Sequence, residues 1–160
     1  MVFKGNIGGT TGGIVNNYKI EIEIYEGKGG QLRKEGDKII YPDLVKEGIC
    51  AWMYRGNGRQ SYQIGQRFTY PEDTGKLCPW LLDSLHGAIH ALRFGGTLPW
   101  RYKGTPYEKV IDPEGITTEF VRCIDPTASG IVVKVIRTRM PDWATHTDQR
   151  FLGKSVKSDR

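Results

Sequence analysis

Tyr18-Lys19-Ile20-Glu21-Ile22-Glu23-Ile24-Tyr25-Glu26 alternates isoleucine with glutamate. Side chains two residues apart fall on the same side of an extended chain, so the stretch predicts a strand with one buried apolar face and one wet charged face. Such a strand needs a layer to pack on. Cys78-Pro79-Trp80 opens a helix that supplies it: Leu82, Leu85, Ile89 and Leu92 recur at helical spacing, Leu81 and Ala88 broaden the stripe, and Gly95-Gly96 ends it. Pro79 suits the first turn, where its missing N–H costs nothing. Together they set an α+β fold class: a small, mostly antiparallel sheet packed against one main helix over about 79–94, with extended N- and C-terminal segments.

The remaining elements follow from local signals. Gly27-Lys28-Gly29-Gly30 ends the first strand, and Asp43 caps a short helical turn through Leu44, Val45 and Lys46 that Gly48 stops. Cys50 to Tyr54 reads as a second strand and Gly56-Asn57-Gly58 as a turn. Tyr62 to Tyr70 reads as an extended segment broken at Gly65, and Pro71 to Gly75 as a loop. Ile116 to Cys123 and Ile131 to Arg137 give two more strands, divided by turn signals at Asp125-Pro126 and Gly130. The domain so defined spans 18–137. Residues 1–17 form a glycine-rich arm poor in core-building side chains, and residues 138–160 a polar tail anchored only by Trp143, Phe151, Leu152 and Val156.

The 160 residues suffice for one domain with a real core, and 11% aromatic content excludes a chain disordered throughout. The formal charge of +5 comes from 23 basic against 18 acidic residues without a block of either sign, a weak basis for a nucleic-acid partner. Cys50, Cys78 and Cys123 cannot all pair with one another and no signal peptide precedes them, so reduced thiols and a cytoplasmic location are expected. The longest nearly apolar run, Ile131 to Ile136, contains Lys134 and falls far below the roughly 20 residues that span a bilayer.

Cys78 stands immediately before a helix N-terminus, where the macrodipole favours a thiolate, and is the best candidate nucleophile. The bland alternative is an inert thiol packed under Trp80. Asp83, His86 and His90 at i, i+3 and i+7 share one flank of the helix and, with Cys78, form the candidate catalytic set. The same three are also what an amphipathic helix carries at its border, and no metal or other cofactor is expected there. Trp80, Arg93, Trp100 and Arg101, with Tyr102 and Tyr107 beside them, are candidate pocket residues around the Gly-Gly turn. The glycine run at 8–13 lacks the Gly-Lys-Ser/Thr ending and the preceding strand of a phosphate loop. No Cys-x-x-Cys, Gly-x-Ser-x-Gly or His-Glu-x-x-His occurs.

Four elements in order, Tyr41-Pro42-Asp43-Leu44, Gly65-Gln66-Arg67-Phe68, Cys78-Pro79-Trp80 and Gly95 to Trp100, followed by a strand over Asp112 to Arg122, resemble a functionally unassigned family of small cytoplasmic α+β proteins from anaerobic bacteria and archaea. The resemblance covers residues 18 to 122. Members often carry further cysteines where this chain has Gln60 or Ser61 and Val110, so any metal or cluster those thiols hold is not implied here. The arm and tail are additions to the family's usual short domain.

Three function classes follow. The leading one is a small non-catalytic subunit, structural or regulatory, of a larger enzyme complex, of an anaerobe by the resemblance, bound through the arm and the tail or assembled as a homo-oligomer. The second is a stand-alone enzyme on a small polar or aromatic acid, using Cys78 with a neighbouring histidine or aspartate. The third is a weak nucleic-acid-binding module, which the interspersed charge disfavours.

Overall fold

The computed structural model describes residues 18–54, 61–127 and 130–141. The arm at 1–17, the turn at Gly56-Asn57-Gly58 and the tail from 142 onward lie outside them.

The isoleucine–glutamate alternation becomes β1 (Tyr18–Glu26), in which Ile20, Ile22 and Ile24 are buried. Its antiparallel partners are β4 (Arg67–Tyr70) on one side and β6 (Val132–Arg139) on the other, and β5 (Ile116–Arg122) pairs with β6 to complete a four-stranded sheet of order β4-β1-β6-β5. The register sets Ile22 against Val135 and Ile24 against Val133, so one apolar face runs across the two central strands. β6 continues past the expected boundary at 137 because Lys19 and Tyr18 pair with Thr138 and Arg139. The α+β class with one main helix is what the chain adopts.

The main helix, α2 (Pro79–Arg93), packs on that face through Leu81, Leu85, Ala88, Ile89 and Leu92. The stripe is centred one residue earlier than the sequence suggests: Leu81 is buried and Leu82 only partly. Each fully buried leucine or isoleucine contributes about 1.5–3 kcal/mol of transfer free energy. The helix stops at Gly95, whose φ of +82° is left-handed. A short helix α1 (Leu44–Glu47) forms as expected, with Asp43 accepting from Lys46 N at its start and Gly48 at φ +63° ending it.

Two readings change. Cys50 to Tyr54 is not a strand: Ala51–Met53 is a 3-10 turn closed by Met53 N donating to Cys50 O, and Tyr54 alone bridges Gly30. The chain passes close to Gly30 there, where a Cβ would come 2.8 Å from Ile49, and β propensity yields to tertiary context. The second change is a hairpin the sequence does not announce, β2 (Arg33–Glu35) with β3 (Lys38–Ile40), whose residues are all exposed. With no buried face it has no alternation to read. The expected loop at 71–75 tightens into a 3-10 turn over Thr74–Lys76, after a cis Tyr70–Pro71 bond.

Each edge of the main sheet is bonded at its middle. On β4, Thr69 N donates to Asp73 Oδ2 at 2.8 Å and Thr69 O accepts from Asp73 N, so the outward backbone groups of that residue are occupied. On β5, Thr118 N donates to Val110 O, and Ile111 bridges Thr117. Occupied edges resist the strand addition that an open sheet edge invites.

Candidate functional site

Helix geometry decides which of the candidate residues can meet. Cys78 caps α2 with extended backbone and makes no side-chain cap bond. It is half-buried, and its N–H donates to the Tyr62 hydroxyl at 2.6 Å, which in turn donates to Lys76 O. His86 follows about 12 Å along the axis at 1.5 Å per residue and His90 lies farther still, so Cys78 forms no hydrogen-bonded pair with either of these two imidazoles.

Asp83, His86 and His90 do share a flank, and all three are exposed. His86 Nδ1 lies 3.8 Å from Asp83 Oδ1, and the two imidazole centroids are 6.3 Å apart. This is the border of an amphipathic helix. Among the described residues no group of three or more His, Cys, Asp or Glu side chains is arranged to hold a metal ion.

What the sequence does not reveal is that Cys50 and Cys123 gather beside Cys78. Cys50 and Cys123 belong to the core cluster against which Cys78 packs; Cys50 feels the charge of both other thiols, and Cys123 that of Cys78. Burial pushes both the Cys50 and Cys123 thiols up from their ordinary range, the like charge of the neighbouring thiols adding to it. Burial also raises the Tyr62 phenol. These groups are therefore protonated and poorly nucleophilic at neutral pH. All three cysteines are free.

The candidate pocket residues are separated by the length of α2. Trp80 is exposed at its start, whereas Arg93 is exposed at its end and Trp100 and Arg101 in the loop beyond. At the helix's C-terminal end, the sheet face turns polar. Lys109 and Glu119 form an ion pair at 2.5 Å with side-chain exposures of 0% and 3%. Lys109 Nζ also donates to Leu98 O. Arg137, 1% exposed, donates to Thr117 Oγ1 at 2.7 Å and to Gly96 O and Asp112 O, beneath the Tyr18 ring at 4.6 Å. These buried groups tie the loop after α2 to β5 and β6. A Thr-x-Glu pattern inside a strand was the one available signal, and its cationic partners lie 10 and 20 residues away from the groups they bond.

Tyr102 and Tyr107 do line a cavity, but with different neighbours from those the spacing suggests. The loop carries Tyr107 over the sheet edge to the face away from α2, where it meets Phe120 with ring centroids 5.7 Å apart. With Arg122 and Val132 these residues enclose about 280 Å³.

Among the described residues no helix is long and apolar enough to cross a membrane. The resembling motifs all occupy chain junctions: Tyr41 to Leu44 the start of α1, Gly65 to Phe68 the start of β4, Cys78 to Trp80 and Gly95 to Trp100 the two ends of α2. Compared with protein-family models, with curated proteins and with solved structures, the chain matches none, so the family resemblance rests on these four elements alone.

Proposed function

We propose that this chain is a small non-catalytic subunit, structural or regulatory, that docks into a larger cytoplasmic enzyme complex, of an anaerobe by the resemblance. The observation that carries this reading is the β2–β3 hairpin. Its two strands pair with each other, and Ile39, Ile40 and Tyr41 are exposed, as are Leu32 before it and Val45 after it, with Tyr41 at 65% and Val45 at 66%. An isolated two-stranded hairpin is marginal in water. Exposed backbone edges flanked by aliphatic side chains are what strand addition to a partner protein uses.

The occupant is a partner subunit offering a strand edge and an apolar seat. Native mass spectrometry of the full chain, gently isolated from its host, tests this. A stoichiometric complex that dissociates in the Ile39→Lys/Ile40→Thr variant supports docking through the hairpin. A monomer in the host, or a complex indifferent to that variant, refutes it.

A further inference from the structure

We propose that the loop after α2 binds single-stranded nucleic acid through Trp100, Arg101, Tyr102 and Lys103. This surface is distinct from the hairpin and does not depend on the docking role.

The loop is held from beneath. Arg137 donates to Gly96 O, Lys109 Nζ donates to Leu98 O, and Lys109 N donates to Arg101 O at 3.1 Å. The two buried cations are bound in turn to Thr117 and Glu119, which stand on one face of β5 roughly 7 Å apart. Thr105 fixes the next residue, its N–H and hydroxyl both donating to Tyr102 O. Tyr102 takes φ +50° and is the only non-glycine residue with positive φ among those described. Such a conformation persists only where the surroundings over-determine it. With these carbonyls bonded inward, the side chains stand in solvent. Trp100 and Tyr102 are 52% and 45% exposed, Phe94 at the end of α2 is 78% exposed, and Arg93, Arg101 and Lys103 are exposed as well.

Charge and spacing select the ligand. Charges are interspersed over the chain as a whole, but Ser84 to Tyr107 contains no acidic residue. Among the described residues the charged ends of Arg93, Arg101 and Lys103 make no ion pair and no hydrogen bond. The buried pair of Lys109 and Glu119 is neutral as a unit, Glu114 pairs with Arg139, and Asp112 accepts from Glu114 N. Within 93–108 three cations therefore stand against the single carboxylate of Glu108, which accepts from Gly104 N. An excess of that sign on one loop attracts a polyanion. Aromatic and cationic side chains alternate through 100–103, as base and phosphate alternate along a single strand, and rings on a fixed backbone lose little freedom when a base stacks on them. A duplex keeps its base faces stacked on one another and offers these rings none. A lipid surface takes a helix with one apolar side, whereas here an irregular loop sets a cation beside each ring.

The test is fluorescence anisotropy of the full chain with fluorescein-labelled oligo(dT) and oligo(U) of about 12 nucleotides, within the usual site size. Binding of either strand at about 50 mM salt supports the proposal, and log K is expected to fall against log salt with a slope of about −2, roughly 0.7 for each of three phosphate contacts. The difference between the two strands tells DNA from RNA through the 2′-hydroxyl. Trp100→Ala is expected to weaken binding at least roughly fivefold, as loss of one stacked base implies. Arg101→Gln/Lys103→Gln is expected to flatten the slope toward about −0.7. Absence of binding up to about 100 µM protein, the weak end of non-specific affinity, overturns the proposal. Equal binding of a duplex or of base-free polyphosphate, or affinity indifferent to Trp100→Ala in a folded variant, overturns it too. Uptake by vesicles of phosphatidylserine and phosphatidylcholine without binding of either oligonucleotide assigns the loop to a lipid surface and likewise overturns it. Should Trp100→Ala fail to fold, the salt slope of the double cation variant and the comparison with polyphosphate on the unaltered chain decide.

Discussion

Lys109→Met isolates the consequence of the buried ion pair. Wild-type Lys109 satisfies both Glu119 at 2.5 Å and Leu98 O at 3.1 Å, with neither charged side chain exposed to water. Among the described residues, removing the ammonium leaves a carboxylate supported by the Phe120 N–H at 3.0 Å alone. Breaking a buried pair from one side costs about 3–5 kcal/mol. For a chain of this size each kcal/mol lowers the melting temperature by about 2–4 °C, so a drop of roughly 6–20 °C is expected. Replacing both partners, as Lys109→Met/Glu119→Leu, removes the stranded charge, and the double variant is expected within about 1 kcal/mol of wild type or above it. Urea denaturation of the three proteins gives the double-mutant cycle. If Lys109→Met costs less than about 1 kcal/mol, as an exposed pair would, or if the double variant is no better than the single, the pair does not hold the loop.

Two glycines in and after α2 are expected to respond in opposite directions. A Cβ at Gly87 meets nothing within 4 Å, so Gly87→Ala gains about 0.5–1 kcal/mol of helix stability, whereas Gly95→Ala, at φ +82° and 3.2 Å from the Tyr18 hydroxyl, loses about 1–2 kcal/mol; thermal melts compare them. Iodoacetamide at neutral pH is expected to modify half-buried Cys78 first and to reach Cys50 and Cys123 only in denaturant, with peptide mapping as the readout. Because burial raises those two thiols in the folded chain, their share of stability is whole below the ordinary thiol range. It declines as pH climbs past about 8.5 toward the raised folded values; a flat stability profile from pH 7 to 10 contradicts this. Bonds to Lys76 and then to the Thr69 amide hold the Asp73 carboxyl below its usual range. Acidification below that range, through the lowered folded value, is therefore expected to reduce the protection factor of the Thr69 amide relative to its intrinsic rate, and an unchanged protection factor counts against the edge closure.

Periodicity and capping made the centre of the fold legible. The isoleucines of β1, the leucine stripe of α2, and the Asp43 and Gly48 caps each act through neighbours within a few residues, where sequence spacing is spatial spacing. What stayed hidden depends on long-range pairing. Arg137 reads as one more basic residue near a tail until β6 is set against β1 and β5. Lys109 reads as a loop lysine until Glu119 turns inward. The grouping of Cys50, Cys78 and Cys123 requires a turn, a helix start and a strand end to converge, and no spacing rule encodes that. The aromatic cavity was half visible: the tyrosines stood out, but their crossing of the sheet edge did not.

Tyr18, the first residue of β1, stands opposite Arg139, the last of β6. Antiparallel partners lie about 4.5–5.5 Å apart, so the chain enters and leaves the domain side by side at one end of the sheet. A unit with adjoining ends can be spliced into a surface loop of another protein without stretching either fold, and its own ends can be joined by a short linker and reopened elsewhere.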